Sequence, residues 1–479
     1  MLKKNLHFVL LLLLIIDVSY SFIQHLNTDL DGDMADIIVP SHWYQKVLDD
    51  PFGLSVLLKN EVYSAPNRFF LHWVFSKYFK VVPGILQNIV NPVDSIYIAC
   101  AIAKTATQVF LILLIAAYIS GKKNIFTKKF LLAAILVTPF FITYQYWRFG
   151  IIDRSITFTF SYAFPLGLLL LFFLPFFKKL FYGEEIIANF IYRIYLILLA
   201  IVVSLNCPLI PGVVVVVCPA VLFNIWYYHF KEPIQKSFVQ RFLSSLRKIP
   251  HDILFYFILV IALCFYSFYI GRNNLENTTI EVSLLERYSL LPKGFITLFT
   301  QMSLVIPLVI MITINAFLIW KYFNNVQGRK ILSLLKWIVI CSFIYILLLP
   351  LGGYRWYRPD ILRYDTVMPI TLSLLIIFGL TTYFLILNLS GELKIIFSSV
   401  IIIFLLIYLY EDKSNKGVNR CERNALYEIS ESKENIVLVS SDCTILAWDK
   451  IKDYKESELN SELLRHWGVI KEKKLYYQK

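Results

Sequence analysis

The sequence predicts an all-α polytopic membrane protein with about eleven transmembrane helices, a long first outer loop carrying surface helices, and a small C-terminal α/β tail. Hydrophobic residues fill 58% of the 479 positions and charged residues only 16%, whereas soluble domains average about half and a quarter. The mean hydropathy is +0.64. Apolar runs of about eighteen residues or more recur, and each can cross roughly 30 Å of hydrocarbon as a helix.

The order of the apolar and polar runs divides the chain into four parts. Residues 1–23 predict a first transmembrane helix acting as a signal anchor, with a cleaved signal peptide as the alternative. Residues 24–95 form the first outer loop, where Ser55–Leu58 and Phe69–Phe79 predict surface helices. Residues 411–479 form an outer tail, with a strand at Asn435–Ser440 and a helix at Ser457–Trp467. The bundle between them, 96–410, holds ten further predicted spans: 96–120, 130–147, 161–177, 190–206, 209–228, 252–271, 295–320, 333–350, 367–389 and 393–410.

The net charge of +13 comes from basic clusters in alternate loops, at 121–129, 178–179, 229–251 and 321–336. This pattern is typical of cytoplasmic loops, so it indicates membrane orientation and argues against nucleic-acid binding. We therefore expect a multi-pass protein of the inner (plasma) membrane, with a cytoplasmic N-terminus and an extracytoplasmic C-terminus.

Two pairs of residues are expected to be linked. Cys421 and Cys443 are the only cysteines in the polar tail, and an oxidising compartment would allow them to form a disulfide. Asp17 and Lys104 both lie inside apolar runs, where charges are costly, so they predict a structural ion pair between the first two spans.

An acidic cluster, Asp29-Leu-Asp31-Gly-Asp33-Met-Ala-Asp36, directly follows the first span. Asp33, or Asp31 in its place, could act as a general base on a hydroxyl. Asp31, Asp33 and Asp36 could instead hold a divalent cation, Mg²⁺ or Mn²⁺. The alternative is a solvated acidic turn that caps a helix beginning at Ala35.

Arginines occur in outer loops, where the orientation rule predicts few of them. Guanidinium groups bind phosphate oxygens in pairs, and neighbouring aromatic rings can stack on sugars. Alternatively, these arginines pair with Asp153, Asp360 and Asp365 to hold the loops together. The candidate substrate-binding residues are Arg355, Arg358, Arg363, Arg148, Arg154, Tyr354 and Trp356, together with Arg68 and His72, which share one helix face in the first outer loop.

No nucleotide-binding glycine motif is present, so nothing indicates a cytoplasmic nucleotide site. An enzyme on the outer face has no supply of nucleotide sugars and would need a lipid-borne substrate. A first span, an outer loop opening with Asp29–Asp33 and many later spans resemble the plan of the glycosyltransferase-C superfamily. The resemblance implies a polyprenyl-phosphate-linked sugar as donor and a glycan or lipid as acceptor. It implies that Asp31 or Asp33 is the catalytic base or a metal ligand, and that Arg355, Arg358 and Arg363 bind phosphate. An O-antigen-type polymerase, a transporter and a non-catalytic scaffold are the alternatives.

The predicted orientation can be tested with reporter fusions. A fluorescent protein that folds only in the cytoplasm should be bright when fused after Lys122. Alkaline phosphatase, which needs an oxidising compartment, should be active when fused after Glu411. The reverse pattern would move every candidate residue to the cytoplasm and contradict the predicted function.

Overall fold

The computed structural model describes residues 2–186, 189–231, 237–277, 282–352, 354 and 357–479. Within these ranges nine helices are long and apolar enough to cross a membrane, which confirms the all-α polytopic plan. Their spanning parts are Leu6–Leu26, Pro92–Ser120, Ile156–Tyr182, Leu209–Phe230, His251–Gly271, Val305–Tyr322, Val326–Leu351, Met368–Asn388 and Gly391–Glu411.

The helices of the bundle follow one another along the chain with short connections. The first is α1 (Leu2–Leu26), and four helices of the first loop follow it: α2 (Met34–Ile38), α3 (His42–Asp49), α4 (Leu54–Lys59) and α5 (Phe69–Leu86). The later helices are α6 (Pro92–Ser120), α7 (Lys128–Val137), α8 (Ile156–Phe158), α9 (Phe164–Phe177), α10 (Phe190–Ser204), α11 (Leu209–Phe230), α12 (Phe238–Leu246), α13 (His251–Gly271), α14 (Leu284–Ser289), α15 (Leu291–Gln301), α16 (Val305–Tyr322), α17 (Val326–Leu348), α18 (Met368–Asn388) and α19 (Gly391–Glu411). The π-helical segment Thr159–Ala163 joins α8 to α9, and a second one, Lys178–Tyr182, extends α9, so Ile156–Tyr182 is one continuous helix.

The structure differs from the predicted spans at three places. The segment predicted at 130–147 begins as α7 and passes into a 3-10 turn, Thr138–Phe140, where Pro139 lacks the N–H that a continuing helix needs. A second 3-10 turn, Tyr146–Arg148, follows at its end. The segment predicted at 190–206 is the 15-residue α10. The segment predicted at 295–320 is divided between α15 and α16. A count of eleven spans therefore stays a prediction.

The bundle has two distinct ends. We call one end the loop face; it carries residues 27–91, 141–155, 205–208, 272–277, 302–304, 357–367 and 412–479. We call the other end the lysine face; it carries residues 121–127, 183–186, 247–250, 323–325 and 389–390. Hydrogen bonds link the segments of the loop face to one another. The backbone N–H of Phe70 donates to the carbonyl of Leu205, and the backbone N–H of Thr143 donates to the Asp412 carboxylate. The Arg148 guanidinium donates to the Ser303 hydroxyl.

The first loop and the tail share a hydrophobic core on the loop face. The first-loop helices are α2 to α5, and the two stretches predicted to be helical lie in α4 and α5. The position of these two helices along the membrane surface stays a prediction. The tail contains α20 (Arg420–Glu431), β1 (Ile436–Val439), α21 (Glu458–His466) and β2 (Leu475–Gln478), and its two strands pair in parallel. Met34 and Phe75 of the loop are buried in the same cluster as Leu426, Val437 and Leu463 of the tail.

Glu422 joins the two parts by hydrogen bonds. This buried side chain accepts bonds from the backbone N–H of Leu30 at 2.9 Å, the Tyr97 hydroxyl at 2.8 Å and the backbone N–H of Leu446 at 3.1 Å. Burial raises the pKa of the Glu422 carboxyl to about 7, although these donors favour its charged form. A single carboxylate thus fixes the start of the first loop against α6 and the tail.

The predicted ion pair is wrong. Lys104 is fully buried, and its ammonium group donates to the Thr28 hydroxyl at 2.8 Å and to the backbone carbonyl of Arg154. Asp17 instead lies near Asp412. The sequence placed both charges in neighbouring spans, but it did not reveal that loop oxygens satisfy the lysine.

The predicted disulfide between Cys421 and Cys443 is confirmed, with Cα atoms 6.1 Å apart. It closes a loop with a sequence separation of 22. In the chain-entropy model, closing a loop of this length adds about 3 kcal/mol to the free energy of unfolding.

We expect the Cys421→Ser/Cys443→Ser variant to lose about this much local stability, seen as faster hydrogen exchange in the tail of the full chain. Free labelling of both thiols in the unreduced native protein would contradict the bond.

Candidate functional site

Asp31 anchors the acidic cluster to the beginning of the helix Ile156–Tyr182. Its buried carboxylate accepts hydrogen bonds from the Ser155 hydroxyl at 2.7 Å and from Thr157, by the backbone N–H at 2.9 Å and the hydroxyl at 2.7 Å. The backbone N–H of Asp33 adds a fourth bond at 3.1 Å. An anion at a helix N-terminus is favourable, and four donors leave Asp31 little capacity to accept a proton from a substrate.

Asp33 has a different environment two residues later. One carboxylate oxygen accepts a hydrogen bond from the Trp448 indole N–H at 2.8 Å. Within the described ranges the other oxygen accepts none. Burial, and then repulsion from Asp31, raise the pKa of Asp33 to about 6, while Trp448 and the positive charge of Arg358 oppose the rise. Asp33 is thus a carboxylate with a free oxygen and a pKa that suits proton transfer near neutrality.

Gly32 allows the tail to approach this carboxylate. A Cβ atom at Gly32 would lie 2.6 Å from both the backbone nitrogen and the ring Cδ1 of Trp448. Such contacts are far inside van der Waals distance, so any larger residue would displace Trp448. The glycine between the two aspartates therefore provides space for the tail.

Arg358 is the arginine whose positive charge lowers the pKa of Asp33. Its guanidinium lies 4.4 Å from the centre of the Phe158 ring, and that ring is 6.0 Å from the ring of Trp448. Its nearest carboxylate oxygen, on Asp365, is 3.8 Å away. No hydrogen bond from the Arg358 guanidinium is found in the part of the chain that the structure describes. Asp33 and Arg358 therefore flank the same pair of aromatic rings, and each retains unused hydrogen-bonding capacity.

Three other predicted arginines are held in ion pairs. Arg363 binds both oxygens of Asp365, at 3.0 and 3.1 Å, and the carbonyl of Asp360 at 2.7 Å. Arg148 pairs with Glu411, and Arg154 pairs with Asp29. Of the partners expected in the loop-bracing alternative, only Asp365 binds one of these arginines, Arg363. Arg148 and Arg154 pair with carboxylates that were not predicted. Arg355 and Trp356 lie outside the described residues, and Tyr354 is half-buried beside them.

Arg68 and His72 come together in a second polar cluster. The His72 ring is buried and stacks on Tyr44, with the ring centres 4.9 Å apart. Burial, reinforced by the charge of Arg68, lowers the pKa of His72 to about 3, so the ring is neutral at physiological pH. Its Nδ1 and the Arg68 Nε have no hydrogen-bond partner among the described residues. The same holds for the Oδ1 of buried Asn206, the neighbour in sequence of Leu205, whose carbonyl accepts a bond from the backbone N–H of Phe70. Buried polar atoms are rarely left unsatisfied, so this cluster is suited to a polar ligand or ordered water.

The two clusters lie near each other, and each is bordered by residues that were not predicted from the sequence. The pKa of the Tyr44 hydroxyl is raised first by burial and then by nearby carboxylates including Asp33, while Arg68 opposes the rise. Tyr44 therefore lies between Asp33 and the Arg68–His72 pair. Trp448, Phe158, Tyr44 and Asn206 were not among the predicted residues, because no local sequence pattern distinguishes them from ordinary interfacial side chains.

The residues do not fit the predicted divalent cation. No group of three or more His, Cys, Asp or Glu side chains in the described ranges is arranged to hold a metal. Asp31 is saturated by four donors, and Asp29 is paired with Arg154. A cation bound at this cluster would have to displace these contacts, so its residues do not support a chemical step through Mg²⁺ or Mn²⁺.

Asp31 and Asp33 should respond differently to the same substitution. Asp31→Asn turns one acceptor oxygen into a donor facing buried N–H and O–H groups, so it should cost about 2–4 kcal/mol of stability. Asp33→Asn keeps an oxygen for Trp448 and relieves repulsion between carboxylates, so the stability should change little. Thermal unfolding of the detergent-solubilised variants measures both. Equal melting temperatures for the two would contradict the anchoring role of Asp31.

The loop face thus combines a carboxylate with a free oxygen, an arginine with free donors, two aromatic rings and a buried polar cluster. Such a set can remove a proton from a hydroxyl, bind an anionic group and stack on a flat or sugar-like ring. All of it lies at the end of an apolar bundle, where a lipid-borne substrate can reach it. No family model, curated protein or solved structure matches this chain.

Proposed function

We propose that the chain is a membrane glycosyltransferase that moves a sugar from a polyprenyl-phosphate donor to an envelope glycan or lipid acceptor. The observation that carries the proposal is the placement of Asp33 beside Trp448 and of Arg358 beside Phe158, two rings whose centres are 6.0 Å apart. Transfer from a phosphate leaving group needs a base for the acceptor and a cation for the leaving group, and these two side chains supply both.

In the proposed reaction, the free oxygen of Asp33 takes the proton from an acceptor hydroxyl. The acceptor oxygen attacks the anomeric carbon, and the bond from that carbon to the phosphate oxygen breaks. The electron pair leaves with the lipid phosphate, whose developing charge the Arg358 guanidinium stabilises. A contact that strengthens as this charge develops raises turnover as well as binding.

The same proposal assigns roles to the neighbouring residues. Trp448 orients Asp33 through its indole N–H, and Phe158 holds Arg358 by a cation–π contact. Arg363 positions the loop of Arg358 by binding Asp365. The neutral His72, Arg68 and Asn206 would meet the polar groups of the acceptor. The reaction would take place on the extracytoplasmic side of the inner membrane, as the lysine-rich loops of the opposite face favour.

Substitution of Asp33 tests the proposal. Asp33→Asn should lower the rate of sugar transfer by about 10²–10⁴-fold, the usual contribution of a general base. Arg358→Lys should also be impaired, because lysine lacks the planar fork of donors. The measurement is lipid and glycan analysis in a deletion strain, at matched protein levels, with the nearby Asp36→Asn as control. Full restoration of the product by Asp31→Asn/Asp33→Asn would rule out the acidic cluster as the base.

The pH dependence gives a separate test. A base must be deprotonated, so transfer should fall as the pH drops through about 6, the pKa of Asp33. Trp448→Phe removes the hydrogen bond that favours the carboxylate, so the pKa should rise and the acid limb should move to higher pH. The phenylalanine ring still fills much of the site, so loss of activity without any shift of the limb would contradict the role given to Trp448.

A further inference from the structure

A cavity of about 320 Å³ lies on the lysine face, at the end of the bundle opposite Asp33. It is bordered by the last turns of α6 and α18, the first turns of α7 and α17, and the end of the helix Ile156–Tyr182. Its volume falls within the range of small-molecule pockets, roughly 300–1,000 Å³. The glycosyl transfer proposed above makes no use of this end of the molecule.

Two lysines mark the polar side of this cavity. Lys122 and Lys129 line it and are exposed, and within the described ranges neither ammonium group has an ion-pair or hydrogen-bond partner. The described lining residues include no Asp or Glu. The neighbouring ion pair of Lys123 with Glu184 lies outside the lining. Two unneutralised cations without a counter-charge at one cavity are suited to an anion.

The other walls of the cavity are apolar and aromatic. Phe181, Tyr383, Phe384 and Leu387 line it, and the Leu387 side chain is 45% exposed. These residues lie in the last turns of spanning helices, which is the depth of lipid headgroups, where tyrosine is common. Apolar walls do not stabilise a small soluble anion, whereas they would bury the glycerol and the first acyl carbons of a lipid.

We propose that this cavity binds the phosphate headgroup of an anionic glycerophospholipid, with Lys122 and Lys129 as its cationic contacts. Basic pockets between transmembrane helices on the cytoplasmic side are a known means of recognising such headgroups. The proposal is independent of the glycosyl transfer, because the two sites lie at opposite ends of the bundle.

The test uses the full chain in detergent, titrated with phosphatidylglycerol or phosphatidylcholine and observed by native mass spectrometry. Lys122→Gln/Lys129→Gln should weaken the phosphatidylglycerol adduct by roughly tenfold or more. The matched control, Lys123→Gln/Arg329→Gln, removes two charges from the same face but none from the cavity, and it should bind as the wild type does. Leu387→Trp keeps both lysines but fills the cavity, and it should also weaken binding.

Three outcomes would overturn the proposal. Equal loss in the control would mean that general surface charge attracts the lipid. Equal affinity for phosphatidylcholine and phosphatidylglycerol would exclude a headgroup site for anionic lipid. Displacement of the lipid by inorganic phosphate at the lipid's own concentration would assign the cavity to a soluble anion.

Discussion

The short backbone segment from Leu30 to Asp33 is the constraint on which the loop face depends. Glu422 holds its first residue, and the N-terminus of the helix Ile156–Tyr182 holds the Asp31 carboxylate. Because these contacts come from different parts of the chain, the segment can neither rotate nor slide without breaking several charge-assisted hydrogen bonds. Asp33 itself contributes little to this attachment, so its carboxylate can be presented to a substrate at small cost in stability.

Satisfied and unsatisfied charges separate structural residues from candidate functional ones. Arg363, Arg148 and Arg154 have carboxylate partners, and a partner removed from such a pair leaves a charge that is costly to bury. Arg358 has only a distant carboxylate and an aromatic face beside it. Under the proposed function, a substrate phosphate binds Arg358 without breaking the ion pairs of the other three arginines.

Hydropathy and cysteine position predicted the features that depend on local sequence. The long apolar helices, the helical conformation of α4 and α5, the tail strand and the bond between Cys421 and Cys443 follow from runs and periods within about twenty residues. The site could be predicted only in part, because its decisive contacts are remote: Trp448 is 415 residues from Asp33. Spacing likewise could not show that Asp31 would be saturated or that Lys104 would bond to loop oxygens, since tertiary packing decides both.

The shared core of the first loop and the tail has a consequence for biogenesis. A ribosome makes the acidic segment near the start of the chain, but Trp448 and Glu422 emerge only after the last spanning helix. Contacts of such sequence separation form late, after the intervening chain is ordered. Under the proposed function, a nascent or truncated chain carries an incomplete catalytic centre, so partly inserted molecules cannot consume lipid-linked sugar before the membrane bundle is assembled.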